Sequence, residues 1–139
     1  MEQKKKILSV AGPTASGKTA LAISLARRLD GEVISNDSMQ IYTGMSIGTA
    51  APTESEMENI PHHMIAAVPP TTDFSCADFA EMTAPIVEDI LARDRLPVFC
   101  GGTGLYLDAV LYGDGLSDST KNPAVRACFE AVAREQGAD

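Results

Sequence analysis

The stretch AGPTASGKTALAISLARRL, residues 11–29, contains the pattern G-x-x-x-x-G-K-[ST] with every fixed position matched by residues 12–19. It lies between the short apolar run KKILSVAG and a segment with leucine and alanine at helical spacing, which is the context this pattern requires. Glycines let such a loop curl so that its N–H groups converge, and the following helix adds the positive end of its dipole. The stretch therefore predicts a phosphate-binding loop; a glycine-rich turn that only caps the helix is the alternative.

Each residue type in this loop has a predicted task. Lys18 brings a mobile cation to phosphate oxygens, and the Thr19 hydroxyl is placed to ligate Mg²⁺. The predicted phosphate site consists of Gly12, Pro13, Thr14, Ala15, Ser16, Gly17, Lys18 and Thr19.

Strand-like and helix-like segments alternate outward from the loop, which predicts an α/β fold with a parallel sheet. The predicted strands are KKILSVAG, EVISN, HHMIAAV and RLPVFC. Right-handed crossovers place the C-terminal ends of all these strands at one edge of the sheet. Four strands and a polar end look incomplete, so we expect a truncated chain with a phosphate-loop core at residues 1–115 and the start of a helical insertion at residues 116–139.

The predicted helices have recognisable ends. Gly31 is a C-terminal stop for the helix that follows the loop. Ser75 and Asp78 form a cap at the start of a long helix, in which Pro85 should produce a kink or local break. An acidic turn is expected at PTESEMENI, whose glutamates form a solvated face, and further helices at Leu105 to about Leu111 and at AVRACFEAVAREQ.

Asp37 follows the second predicted strand, at the edge where α/β sheets keep their ligands. If that strand is a parallel neighbour of the first, Asp37 lies near the phosphate loop. A carboxylate there that is not tied to Mg²⁺ is free to act as a base on a second substrate. The alternative is that Asp37 or Ser38 caps a turn.

Composition limits the classes of protein. The chain has 139 residues and a formal net charge of −8, which argues against nucleic-acid binding through bulk electrostatics. No apolar run approaches the ~20 residues needed to span a bilayer, and the short basic N-terminus does not read as a secretory signal. Cys76, Cys100 and Cys128 are odd in number and widely spaced, so we expect reduced, mostly buried thiols of a cytosolic protein.

Five blocks occur in the order and spacing that is found in the tRNA dimethylallyltransferases, also called tRNA isopentenyltransferases. They are GPTASGKT, ISNDSMQIYTGMSIGTAAPT, PHHMI, DFSCADF and GGTGLYL. The sequence resembles this family from about Lys6 to Arg126, and only the first block is a general motif. The resemblance implies a P-loop NTPase-like three-layer fold.

The resemblance also implies a function. The family transfers a dimethylallyl group from dimethylallyl diphosphate to the exocyclic amine of an adenine beside the tRNA anticodon. Catalysis would then involve Asp37 as general base, with Lys18, Thr19 and Mg²⁺ at the diphosphate. The positions matching the family's tRNA contacts are Asp37, Ser38, Met39, Gln40, Thr103 and Arg126. A cytoplasmic enzyme without a membrane partner, monomeric at full length, is expected.

The sequence departs from the family pattern at Thr43, Ser46 and Ala51, where a basic residue, an aspartate and a lysine are common. Loss of basic groups should weaken phosphate contacts there. Three alternatives stay open: an adenylate isopentenyltransferase, a P-loop small-molecule kinase and an inactive phosphate-binding fragment. Structural roles are also open for His62 and His63, for Tyr42 and Tyr106, and for a tight turn at GGTG.

Overall fold

Four parallel strands form the sheet in the computed structural model, which describes residues 6–113 and 123–136. They are β1 (Leu8–Ala11), β2 (Gly31–Ser35), β3 (His62–His63) and β4 (Leu96–Gly101). Their order is β1-β4-β2-β3, so β4, and not β2, is the neighbour of β1. The condition under which Asp37 would lie near the phosphate loop, a β2 strand beside β1, is therefore not met, because β4 lies between them. A nearly continuous buried run, as in β4, is typical of a strand with neighbours on both sides.

The described residues form the helices α1 (Lys18–Arg28), α2 (Glu54–Met57), α3 (Cys76–Ala92), α4 (Gly104–Tyr112) and α5 (Pro123–Gln136). Helix α1 packs on one face of the sheet, and α3, with α4 against it, packs on the other face. Val33 and Val98 pack with Ala22 of α1, whereas their strand neighbours Ile34 and Phe99 belong to the cluster of α3 and α4. Because successive strand residues point to opposite faces, the molecule has three layers, as predicted.

The long helix α3 begins with the predicted capping box. The Asp78 amide donates to Ser75 Oγ at 3.2 Å, and the Ser75 amide donates to Asp78 Oδ2 at 2.8 Å. The helix runs uninterrupted past Pro85, so the predicted local break does not occur. Pro85 is exposed, while Phe79 and Ile90 are fully buried on the inner face and hold the helix to the sheet.

Two predicted boundaries are wrong. The third strand stops after His63, because Met64 and Ala66 have φ of 61° and 48°, which is incompatible with an extended ladder. Gly31 does not terminate α1: Asp30 takes the left-handed conformation with φ of 50°, and Gly31 opens β2. A Cβ at Gly31 would lie 2.6 Å from the Leu96 carbonyl oxygen, so glycine is needed there for close strand pairing.

A buried charge cluster lies at the opposite end of the sheet from the phosphate loop. The Glu32 side chain is only 2% exposed. It accepts hydrogen bonds from Arg93 Nη1 at 2.5 Å and Arg95 Nη1 at 2.5 Å, and its Oε2 lies 2.7 Å from His63 Nε2. The hydrogen bond from Arg93, with smaller contributions from His63 and Arg95, lowers the pKa of Glu32 to about 2.

The histidines have structural contacts. His63 contacts Glu32, and His62 Nδ1 donates to the Ile60 carbonyl oxygen at 2.7 Å. Burial lowers the pKa of His62. Tyr106 is also buried and stacks on Phe79, with ring centroids 4.5 Å apart, which agrees with a packing role.

Three further expectations concern the chain as a whole. Cys100 is buried and Cys76 half-buried, but Cys128 is exposed, so the expectation of mostly buried thiols fails for Cys128. In the part of the chain described above, no helix combines the length and apolar character that crossing a bilayer requires. The predicted domain boundary at residues 115–116 lies outside the described residues.

Candidate functional site

The phosphate loop joins β1 to α1 and ends at Gly17, which has φ of 84° and caps the helix without a side-chain hydrogen bond. The first amides of α1 therefore have no side-chain acceptor at the cap, which is the arrangement that anion-binding helix starts use. Ala15 also has a positive φ, 61°. A non-glycine residue in this conformation costs about 1 kcal/mol, and such strain concentrates at ligand-binding turns.

Two side chains close the loop on itself. Lys18 Nζ donates to the Pro13 carbonyl oxygen at 2.6 Å, and Ser16 Oγ donates to the same oxygen at 2.7 Å. The Lys18 ammonium thus lies across the loop that should hold phosphate. A mobile cation with this reach can exchange one carbonyl contact for phosphate oxygens.

A cavity of about 570 Å³ opens beside the loop. It is lined by the loop and the first turns of α1, by Asp37 and Gln40, by parts of segment 49–58, and by residues 100–102. Thus the cavity brings Lys18, Thr19 and Asp37 together, although β4 lies between their strands. Gly12 and Pro13 belong to the loop but do not line the cavity. The predicted tRNA-contact positions Ser38, Met39, Thr103 and Arg126 do not line this cavity either.

Asp37 caps a turn and also lines the cavity. Its Oδ1 accepts hydrogen bonds from the Met39 amide at 2.8 Å and the Gln40 amide at 3.2 Å. The capping alternative is therefore correct for one carboxylate oxygen. Neither bond uses Oδ2, so capping does not compete with a role for this oxygen toward a ligand. The role of Asp37 as a base stays a prediction.

Gln40 connects the end of β2 to the cavity wall at segment 49–58. Its Oε1 accepts from Ser35 Oγ at 3.0 Å, and its Nε2 donates to the carbonyl oxygens of Thr49 at 3.3 Å and Ala50 at 3.5 Å. The amide of Gln40 is thus already engaged within the chain. A contact from Gln40 to RNA stays a prediction, and it would have to share or replace these bonds.

Thr103 ties the turn at GGTG to the turn at Asp37. Its Oγ1 accepts from the Ser38 amide at 3.1 Å, and its own amide donates to the Asn36 carbonyl oxygen at 3.2 Å. Asn36 is buried, and its Nδ2 reaches the Thr103 carbonyl oxygen at 3.4 Å. Asn36 was not predicted as a site residue, because its only signal in the sequence is its position between a strand and a turn.

Two other parts of the cavity wall were also missed. Cys100 lies at the end of β4, and burial raises the pKa of its thiol, so it stays protonated at neutral pH. Arg27 of α1 forms an ion pair with Glu58, and both residues line the cavity. The prediction that the glutamates of segment 53–58 form only a solvated face is therefore incomplete.

The remaining predicted RNA positions lie elsewhere. Met39 is exposed. Arg126 pairs with Glu130 on α5, 2.9 Å away, and this contact raises the pKa of Arg126. Arg126 lines a second cavity of about 840 Å³ together with Tyr42 and Phe74.

No group of three or more His, Cys, Asp or Glu side chains that could hold a metal ion occurs within residues 6–113 and 123–136. The Thr19 hydroxyl lies in the cavity beside the phosphate loop. An oxygen donor there suits Mg²⁺, which usually takes one or two protein ligands and completes its shell with substrate phosphates and water.

Comparison with known proteins identifies the family. The family model described as IPP transferase matches residues 40–139, and the model described as isopentenyl transferase matches residues 5–67. The tRNA dimethylallyltransferase of Geobacillus thermodenitrificans is 47% identical over 135 residues, covering 97% of this chain and 43% of that protein. The protein of the same name from Roseiflexus castenholzii is 49% identical over 133 residues, covering 96% of this chain and 44% of that protein.

Solved structures that resemble this chain belong to the same family as its sequence relatives. The full-length tRNA isopentenylpyrophosphate transferase of Bacillus halodurans gives a TM-score of 0.80 at 46% identity, covering 96% of this chain and 44% of that chain. A eukaryotic dimethylallyltransferase acting on tRNA gives 0.78 at 32% identity, covering 97% of this chain and 33% of that chain. The chain thus spans less than half the length of these relatives. Their P-loop NTPase-like fold confirms the predicted fold class, and the match over residues 40–139 shows that this chain belongs to the IPP transferase family.

Proposed function

We propose that this chain is the N-terminal part of a tRNA dimethylallyltransferase and carries its donor site. The substrates would be dimethylallyl diphosphate and an adenine beside the tRNA anticodon. Relatives named for this activity support the proposal. The observation that carries it is the single cavity shared by Lys18, Thr19 and Asp37.

These residues suit the chemistry of prenyl transfer. The bond between the allylic carbon and the diphosphate oxygen breaks, and the electron pair leaves with the diphosphate. The adenine N6 forms the new carbon–nitrogen bond and releases one proton, which Asp37 accepts. The loop amides and Lys18 stabilise the negative charge that develops on the leaving group.

Magnesium would bind beside the loop through the Thr19 hydroxyl and the diphosphate oxygens. When bound, Mg²⁺ would supply further charge neutralisation for the leaving group. A diphosphate held by the loop would direct the allylic carbon of the donor toward Asp37, because the loop and Asp37 line the same cavity.

The acceptor adenine must leave its base stack to reach Asp37, at a cost of a few kcal/mol that is smaller in a single-stranded loop. We assign contacts with tRNA to residues 37–40, Thr103 and Arg126. The net charge of −8 means that most phosphate contacts would come from outside this chain. We also propose that residues 116–139 begin the helical tRNA-binding insertion, and that the complete enzyme is a cytoplasmic monomer.

A titration of the 139-residue chain with dimethylallyl diphosphate and, separately, with ATP tests the assignment. Both titrations are followed by calorimetry in the presence of Mg²⁺. We expect dimethylallyl diphosphate to bind more tightly, and Lys18→Ala to weaken its binding at least about ten-fold through loss of a charge-assisted contact. A clear preference for ATP would overturn the proposal in favour of a kinase.

A further inference from the structure

The end of β4 lies between the two parts of the proposed site, which are the phosphate loop and the turn at Asp37. In the sheet register Ala11 lies beside Gly101, and Ser35 lies beside Cys100. The chain leaving β1 becomes the phosphate loop and the chain leaving β2 becomes the Asp37 turn. Residues 100–102 therefore lie between the diphosphate site and Asp37, and all three line the cavity.

Two glycines in the cavity wall are required by the backbone. Gly17 has φ of 84°, which a residue with a side chain rarely adopts. A Cβ on Gly101 would lie 2.7 Å from the Asn36 carbonyl carbon and oxygen, so any side chain there would push β4 away from β2.

Gly102 is different, because the fold does not require it. Its φ lies outside the left-handed range, and an added Cβ would meet only the Gly12 carbonyl oxygen, at an ordinary contact distance of 3.7 Å. Alanine would fit the backbone, and its methyl group would meet no other heavy atom within 4 Å at a residue that lines the cavity beside the phosphate loop. Packing therefore does not require glycine at this position.

From this we propose that Gly102 is a specificity-determining residue that leaves room for the hydrocarbon part of the donor. The inference rests on the proposed function. In transfer from diphosphate to amine, the allylic carbon must lie between the leaving oxygen at the loop and the amine at Asp37. That region lies next to the end of β4, where Gly102 contributes no side chain to the cavity wall.

The test compares two probes on three proteins: the 139-residue chain and its Gly102→Ala and Gly104→Ala variants. Gly104 is the matched control, because a Cβ there meets nothing within 4 Å and Gly104 does not line the cavity. Binding of inorganic pyrophosphate and of dimethylallyl diphosphate is measured by calorimetry with Mg²⁺, and thermal unfolding is followed by circular dichroism.

We expect Gly102→Ala to retain the wild-type melting temperature and pyrophosphate affinity, but to bind dimethylallyl diphosphate about ten-fold more weakly, as one misplaced methyl group typically does. Gly104→Ala should match the wild type with both probes. Equal affinity of wild type and Gly102→Ala for dimethylallyl diphosphate, an equal loss for both probes, or a lowered melting temperature would each overturn the inference. If the wild type binds neither pyrophosphate nor dimethylallyl diphosphate, the proposed function fails as well.

Discussion

At the scale of single residues, Asp37 joins two roles that the sequence presents as alternatives. One carboxylate oxygen caps the turn at residues 38–40, and the side chain still lines the phosphate-loop cavity. The sequence could place Asp37 at the ligand edge because its strand ends just before it. The sequence could not reveal the bonds made by Gln40 and Thr103, since these depend on how segments far apart in the chain meet in the fold.

Substitution of Asp37 separates capping from catalysis. Asparagine keeps an oxygen that accepts from the same amides but cannot take a proton, whereas alanine loses both functions. Asp37→Asn should unfold with wild-type stability, and Asp37→Ala should lose about 1 kcal/mol, as other caps do. Urea unfolding of the 139-residue chain measures this difference.

The catalytic part requires a complete enzyme, for example a full-length relative in which residues 1–139 replace the matching segment. Both variants should then lower the rate of prenyl transfer at least about 100-fold while binding dimethylallyl diphosphate normally. Transfer by Asp37→Asn at the wild-type rate would show that Asp37 only caps the turn.

At the scale of elements, the sequence predicted correctly those features that depend only on residues close together in the chain. The capping box of Ser75 and Asp78 depends on neighbours along the sequence, and it was predicted. The prediction of a strand over residues 62–68 was wrong, because Met64 and Ala66 adopt left-handed conformations that end the strand after His63. The pattern of apolar residues in the sequence does not show where such conformations occur. The position of β4 between β1 and β2 likewise comes from packing.

The Glu32 cluster joins β2, β3 and the end of α3, and it predicts how stability varies with pH. Because folding lowers the pKa of Glu32 from 4.5 to about 2, its contribution is complete above pH ~4.5 and is lost as the pH falls toward 2. The shift corresponds to about 3 kcal/mol. Glu32→Gln should therefore be less stable than the wild type by roughly this amount at pH 7, and the difference should shrink below pH ~4.5.

Urea unfolding at pH 7, 4 and 3 measures this difference, with Glu81→Gln, on the exposed side of α3, as the control. Because the wild type and Glu32→Gln share all other carboxylates, the effect of protonating those groups cancels in the difference between their free energies of unfolding. A difference that stays constant between pH 7 and pH 3 would contradict the assignment of the low pKa to Glu32.

At the scale of the whole molecule, the phosphate loop links ligand binding to global stability. The loop connects β1 to α1, and α1 packs on β2 and β4, so unfolding must dismantle the site. A ligand that binds only the folded chain stabilises it by RT ln(1 + [L]/Kd), which is about 2.7 kcal/mol at a hundred-fold excess over Kd. For a chain of this size, that corresponds to a rise in melting temperature of roughly 5–10 °C.

We therefore expect pyrophosphate with Mg²⁺ to raise the melting temperature by that amount, as followed by circular dichroism. Lys18→Ala should lose most of the rise, because it removes the cation but leaves the core intact. Chelation of Mg²⁺ by EDTA should reduce the rise further, since Thr19 and the diphosphate would no longer share the metal. An equal rise in Lys18→Ala and wild type would mean that pyrophosphate binds elsewhere on the molecule, and the loop would then be only a helix cap.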